Sequence, residues 1–382
     1  MLILTHVNYR FSALAIALTI SAPHTLFSAD SDWPQWQGAN RDGKSLETSF
    51  PKAWPAEGLK LMWRAGNLGE GYAGVSVVGN RLYAMGGLSD ANAIMAIDTK
   101  DGAILWSTKF GVAGLVGNPT SGNVFPGPRG TPTVDGDRLY AVDHRGQFIC
   151  VNSNDGKIQW KRHFVDDFGG IVPRWGFCES PLVDGNQVVA TPGGPKGAIV
   201  ALNKQTGDLI WQSKEFTDEA QYASIVAAEI GGIHQYVQLT GESVVGISPK
   251  DGSVLWKAAR AGRTAVIPTP VIDGNYVYVT SGYEVGCALF KVALNNGKFT
   301  VEQVYKDKNM VNHHGGVVKV GDYLYGYSDG KGLVCQNFLT GDIVWGERDR
   351  VKKGSVSYAD GMLYFREERS GDMVLIEADP KG

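Results

Sequence analysis

One heptapeptide recurs along the chain, and it constrains the fold more than any other feature. It reads KDGAILW at 100–106, NDGKIQW at 154–160, QTGDLIW at 205–211, KDGSVLW at 250–256 and LTGDIVW at 339–345. Its glycine stands at Gly102, Gly156, Gly207, Gly252 and Gly341, with Gly297 in a weaker sixth copy. Four residues further on come Trp106, Trp160, Trp211, Trp256, Val301 and Trp345, spaced 54, 51, 45, 45 and 44 residues apart. A period of this length marks a supersecondary unit that buries its apolar face only against its neighbours.

The unit at 131–160, TPTVDGDRLYAVDHRGQFICVNSNDGKIQW, shows what each copy contains. TPTV, RLYAV, QFICVN and KIQW predict four short strands joined by turns at DGD, DHRG and SNDG. Asp-Gly suits tight hairpins, because glycine accepts the positive φ they require. Four antiparallel strands repeated at this period predict an all-β chain folded as a β-propeller. The repeated Trp is expected between neighbouring sheets, where its large area is best used.

The ends predict how the ring closes. The last unit begins at Gly354 and stops at its hairpin Gly382, without a fourth strand. GLKLMW at 58–63 has the strand and the Trp but not the three strands before them. Strand 59–64 is therefore expected to pair with 373–377, giving seven four-stranded blades and hiding an open edge. A shortened eight-bladed ring is the alternative. On this reading, deleting 59–64 costs more stability than deleting 30–45.

Before the repeats, Arg10 precedes the apolar run FSALAIALTISA at 11–22. A short basic-then-apolar start reads as a secretory signal, here 1–29, and is short for a membrane span. Residues 30–58 form an N-terminal extension, and 59–382 the propeller. The mature protein is expected to be periplasmic or secreted, with no transmembrane segment. A formal charge of -3 gives no electrostatic ground for a nucleic-acid partner. Cys150, Cys178, Cys287 and Cys335 form no CxxC pair and are expected as free, mostly buried thiols.

The units resemble the PQQ-like propeller repeat, shared by BamB-type outer-membrane assembly factors and quinoprotein alcohol dehydrogenases. The resemblance covers about residues 59–382. The stretch DWPQWQGANRDGKS at 32–45 also resembles the start of exported PQQ-like propeller proteins of planctomycete-type bacteria. For the dehydrogenases, the resemblance implies PQQ above the ring centre with calcium, an Asp base and often a vicinal cysteine pair. This sequence has no Cys-Cys, no calcium loop of alternating oxygen ligands and no CxxCH haem motif. BamB-like lipoproteins carry a lipidated N-terminal Cys, whereas the first cysteine here is Cys150. No cofactor is expected on the leading reading, and PQQ with calcium on the alternative.

The segments entering each blade's first strand should converge at one mouth of the channel. They supply Tyr72, Arg129, Arg174, Trp175, Glu179, Tyr222, Arg263, His313, His314 and Tyr358. The arginines could hold an anionic group, and Tyr72, Trp175 and Tyr222 could stack on a flat or sugar-like ligand. A merely solvated rim is the plainer alternative. Adjacent on an extended strand, His313 and His314 would face opposite ways. One of them, with Glu179, could then serve over the channel as a base or single metal ligand, but a structural hydrogen-bonding histidine is the preferred reading. Asp166 and Asp167 are expected in a solvated loop. The leading function is an exported binding or scaffold protein for a protein, peptide or cell-envelope polymer, without a catalytic set. The alternatives are a PQQ-dependent oxidoreductase and a glycan-binding or glycan-processing propeller.

Overall fold

The computed structural model describes residues 32–118, 123–347 and 350–382; the expected leader, 1–29, lies outside them. Among the described residues seven antiparallel blade sheets follow in chain order, six of four strands and a seventh of three. Blade 1 comprises Ser76–Val78, Arg81–Gly87, Ala91–Asp98 and Ile104–Val112. Blades 2 to 6 start with Thr133–Asp135, Leu182–Asp184, Val226–Ile230, Val271–Asp273 and Val317–Val320. Blade 7 holds Gly354–Ala359, Met362–Glu367 and Met373–Glu377. First strands of neighbouring blades touch around most of the ring, so they surround its axis. The all-β propeller predicted from the repeat is the fold of the chain. The two longest repeat spacings have local causes. A hairpin, Leu115–Asn118 with Asn123–Pro126, is inserted before blade 2, and a one-turn helix, Phe164–Phe168, before blade 3. That helix corrects the loop expected around Asp166 and Asp167: the Asp166 N–H donates to Nδ1 of His163, which caps the turn.

The blades are joined by one recurring contact. The Trp160 indole lies against Gly207 of the next blade, and its Nε1–H donates to the Lys204 carbonyl at 3.0 Å. Trp106 makes the same bond to Ser153 (3.2 Å), Trp211 to Pro249 (2.8 Å) and Trp345 to Asp379 (2.9 Å). Each acceptor lies three residues before the hairpin glycine of the following blade. A Cβ on Gly207 would come within 2.7 Å of the Trp160 ring, and its φ of 74° also disfavours other residues. The heptapeptide is therefore two halves of one joint, its glycine receiving the preceding blade's indole and its own Trp reaching the next blade.

Blade 5 departs from the sequence reading. Its last hairpin is longer, running from Asn295 paired with Lys298 to Cys287 paired with Asp307. The bulge that accompanies the Trp in other blades falls between Leu289 and Phe290, so Tyr305, not Val301, takes the joint position. Its hydroxyl donates to the Phe338 carbonyl at 2.9 Å, and its ring lies against Gly341. Trp256 of blade 4 bonds Gln235 within its own sheet instead.

Blade 7 brings a second correction. Residues 59–64 form no strand, and Met373–Glu377 pairs only with Met362–Glu367. The expected indole joint nevertheless forms. Trp63 Nε1–H donates to the Thr99 carbonyl at 2.6 Å, and the ring lies against Gly102 of blade 1. Leu59, Leu61 and Met62 stay in solvent at 65, 68 and 77 % exposure, so this stretch has no apolar surface to hold it as a ladder. The preceding chain lies along the blade instead, with Trp54 and Phe50 against Tyr364 and the Trp54 Nε1–H bonded to the Met373 carbonyl.

The N-terminal stretch does more than extend the chain. Residues 33–45 cross the axis and meet all seven blades. Trp33 exchanges backbone bonds with Val77 of blade 1, and the Pro34 carbonyl accepts from Val134 of blade 2. Buried Arg41 donates to the carbonyls of Ser180 and Pro181 in blade 3 and Ile225 in blade 4. Trp36 bonds Thr269 before blade 5, Gly43 lies against Val318 of blade 6, and Gly43 and Ser45 bond the Tyr358 backbone of blade 7.

Candidate functional site

Two cavities lie at this crossing segment. The smaller, about 410 Å³, is lined by Gln37, Asn40, Arg41, Asp42 and Lys44 with blades 4 to 6. The larger, about 760 Å³, includes Trp36 in its wall and opens at the mouth predicted from the repeat. Residues from all seven blades line it: Tyr72, Arg129, Trp175, Tyr222, Ile267, His313 and Arg366 are one from each. The N-terminal segment thus turns one end of the channel into a cup.

The predicted site residues divide into two groups. Tyr72, Arg129, Trp175, Tyr222, His313 and His314 line the cup. Arg129 lies over the Tyr72 ring at 4.6 Å, and Trp175 meets Tyr222 edge-on at 5.8 Å. Arg174, exposed, stacks over Trp175 at 4.8 Å, and Arg263, exposed, faces Glu284 at 3.6 Å; neither is part of the cup wall. Tyr358 is elsewhere: its backbone holds the N-terminal segment and its hydroxyl accepts from the Gly361 N–H.

Glu179 is also outside the cup, 5 % exposed in the wall between blades 3 and 4. It accepts from the Thr191 amide (2.5 Å) and hydroxyl (3.1 Å), the Ile225 amide (3.1 Å) and Gln238 (3.2 Å). Burial outweighs these donors and the nearby Arg41 charge, pushing its carboxyl up to about 7. Arg41 is lowered by the same burial, to about 10. This buried network supports the crossing segment and corrects the pairing of Glu179 with a histidine over the channel.

The histidine pair also differs from expectation. Residues 312–316 are not extended, so His313 and His314 enter the same cup with ring centroids 4.7 Å apart. His313 sits in a chain of contacts. Lys353 Nζ lies 2.9 Å from Asp329 and 2.6 Å from His313 Nδ1, while His313 Nε2 lies 3.0 Å from the Tyr283 hydroxyl. Burial, then the charge of Lys353, pushes the His313 imidazole down to about 4, so it is neutral at pH 7. His314 faces Glu368 at 3.6 Å.

Tyr283, Arg366, Glu368 and Trp36 line the cup without having been singled out in the sequence, and Lys353 supports it from behind. Tyr283 and Glu284 have φ of 55° and 64°, so a left-handed turn aims this tyrosine, and SGYEVG reads as an ordinary turn until that is seen. Arg366 and Glu368 lie at the end of a second strand, outside the segments expected to converge.

The residues of the cup do not fit calcium-bound PQQ. Calcium takes six to eight oxygen ligands. Among the described residues of the lining Glu368 is the one carboxylate, and it faces His314. Among the described residues no group of three His, Cys, Asp or Glu side chains is placed to hold a metal ion. Cys178 lines the cup as a free thiol, raised to about 12 by burial; the other three cysteines are buried and free. No helix among the described residues is long and apolar enough to cross a membrane.

Fold and cup define a seven-bladed propeller whose blades share a ligand-sized cup at one mouth. A sequence model of the family described as outer membrane protein assembly factor BamB matches residues 55–125 and 120–347. The chain belongs to this family of PQQ-like propellers. It is 26 % identical over 292 residues to an outer membrane protein assembly factor BamB of Burkholderia pseudomallei, spanning 66 % of this chain and 74 % of that one. It is 23 % identical over 296 residues to a polyvinylalcohol dehydrogenase of a Pseudomonas species, spanning 74 % of this chain but only 42 % of that enzyme. The solved structure of BamB from Moraxella catarrhalis superposes with a TM-score of 0.54 at 14 % identity, covering 80 % of this chain and 88 % of that one. That last likeness concerns the fold.

Proposed function

We propose that the protein is a binding and scaffold propeller of the cell envelope that takes a segment of a protein, peptide or polymer into the cup. The observation that carries this reading is the cup itself. Seven blades and the N-terminal segment supply one opening of about 760 Å³ with aromatic walls and a few charged groups, the composition of a recognition pocket. The leader-like start and the BamB relatives support the envelope. A quinoprotein-type oxidoreductase is the second reading, favoured by the polyvinylalcohol dehydrogenase match and opposed by a donor set that suits no calcium ion.

Two measurements separate them. Tryptophan fluorescence is followed during titration with PQQ, with and without calcium, and PQQ-dependent dye reduction is assayed with polyvinyl alcohol. The binding reading expects neither saturable quenching nor turnover. Turnover lost in Trp175→Ala would establish the dehydrogenase instead. In cells, a photocrosslinking residue at Tyr72, 62 % exposed at the cup, should capture a discrete envelope component. The same residue at exposed Lys298, on an outer hairpin, should not. Equal capture at both positions would remove the cup from the function.

A further inference from the structure

The hydrogen-bond directions around His313 show what kind of ligand group the cup can receive. A lysine ammonium has three donors and no acceptor. Lys353 Nζ, 2.6 Å from Nδ1 of His313, therefore donates to that nitrogen, and Nδ1 carries no proton. A neutral imidazole then has its proton on Nε2, which lies 3.0 Å from the Tyr283 oxygen and donates to it. The neutral state agrees with the strongly lowered basicity of this ring, caused first by burial and then by Lys353. With its oxygen occupied as an acceptor, Tyr283 has its own O–H left to donate, and Tyr283 lines the cup. Asp329, 2.9 Å from Lys353, anchors the far end. The chain from Asp329 through Lys353 and His313 thus fixes Tyr283 as a donor toward the ligand.

The remaining lining points the same way. Arg366 adds an exposed guanidinium group from blade 7, and Arg129 a second positive charge from blade 2, its Nε and Nη2 buried, whereas Glu368 is the single carboxylate among the described residues of the lining. Such a wall favours a ligand rich in acceptors and bearing negative charge, which arginine holds bidentately. The ring faces are equally specific. Tyr72, 62 % exposed, has Arg129 over its ring, and Trp175 stands edge-on to Tyr222. These are flat apolar surfaces beside polar donors, suited to the C–H face of a pyranose ring whose substituents hydrogen-bond at its edge.

Building on the binding reading above, we propose that the cup recognises an acidic polysaccharide of the uronic-acid type. The carboxylates are held by Tyr283 and Arg366, with the charge of Arg129 beside them, and the sugar rings lie on Tyr72 and Trp175.

The test is titration of the full mature chain with a defined oligogalacturonate, followed by tryptophan fluorescence and calorimetry at low and high salt. A neutral cello-oligosaccharide of equal length and a glutamate-rich peptide are the comparison probes. We expect saturable binding of the uronate, weakened by salt, and at least about tenfold weaker binding of the neutral sugar, as loss of charge-assisted hydrogen bonds implies. Tyr283→Phe should weaken the uronate by roughly tenfold and leave the neutral sugar nearly unchanged. Lys353→Met should move affinity in the same direction as Tyr283→Phe. Arg366→Gln, on an exposed side chain, tests the carboxylate contact without risk to folding. Binding of the peptide but not the uronate would overturn the ligand class while leaving the cup as a binding site. Uronate binding that none of these substitutions changes would place the sugar elsewhere and overturn the proposal. Failure of all three probes would overturn it too; the binding reading would then fail only if capture at Tyr72 were also absent.

Discussion

Trp63 donates its indole N–H to the carbonyl of Thr99 across 2.6 Å, three residues before Gly102, and so makes the joint of blade 7 to blade 1 without belonging to a strand. Most of the other joints use the same contact, so the ring is held at its periphery by indoles seated on glycines. We expect Trp63→Ala to lower stability by about 2 kcal/mol, less than a fully buried Trp because the ring is half-exposed. Leu61→Ser, at 68 % exposure, should stay within about 0.5 kcal/mol of wild type. Urea midpoints of the two variants test this.

Blade 5 offers a matched comparison. Tyr305 holds the joint to blade 6 through the Phe338 carbonyl, while Val301, in the position expected from the repeat spacing, makes no such contact. Tyr305→Ala should therefore cost about 2–3 kcal/mol and Val301→Ala about 1 kcal/mol or less. Equal losses in denaturant midpoint would restore Val301 as the joint residue.

Glu179 gives stability a pH dependence of known sign. Its folded carboxyl titrates at about 7, above its ordinary value of 4.5, because it is buried. The folded chain therefore holds a proton that the unfolded chain releases between those values. This contribution is complete below 4.5 and is lost as pH rises through 7. Thr191, Ile225, Gln238 and Arg41 are the groups that face it, and none of the four titrates in that window. Denaturant midpoints of wild type and Glu179→Gln, compared at pH 5 and pH 8, should show the mutant with the flatter profile.

What the sequence made legible was what repeats. The hairpin glycines and their tryptophans gave blade number and order, because a contact made at almost every joint leaves the same letters in each copy. The register likewise brought Tyr72, Arg129, Trp175, Tyr222, His313 and His314 to one mouth. Residues whose role depends on a single tertiary contact were not legible. Lys353 looks like any surface lysine until His313 lies beside it, and Arg41 until three carbonyls converge on it. Adjacent histidines read as opposed only if their strand is extended, and theirs is not. Residues 33–45 have no period, so nothing in their spacing marked them as the segment that crosses the axis.

Arg41 is the centre of that crossing. Its guanidinium fork spans carbonyls of blades 3 and 4 that a lysine's single ammonium cannot reach together. Arg41→Lys should cost about 1–3 kcal/mol and Arg41→Ala more, since carbonyls left buried without donors carry that penalty. This reverses the expectation that deleting 30–45 would be the milder truncation.

The claim on which the cup depends is that residues 33–45 are built into the ring, and native-state hydrogen exchange tests it most directly. Trp33 and Val77 exchange backbone bonds at 2.7 and 2.8 Å, Val134 donates to Pro34 at 2.8 Å, and Tyr358 donates to Gly43 at 2.9 Å. We expect these amides to exchange as slowly as the buried strand amides of Ile94 and Ile149, opening only when the whole propeller unfolds. Exchange of the Trp33, Val77, Val134 and Tyr358 amides within seconds, while Ile94 and Ile149 stay protected, would mean that the segment is a detachable tail and that the channel has no floor.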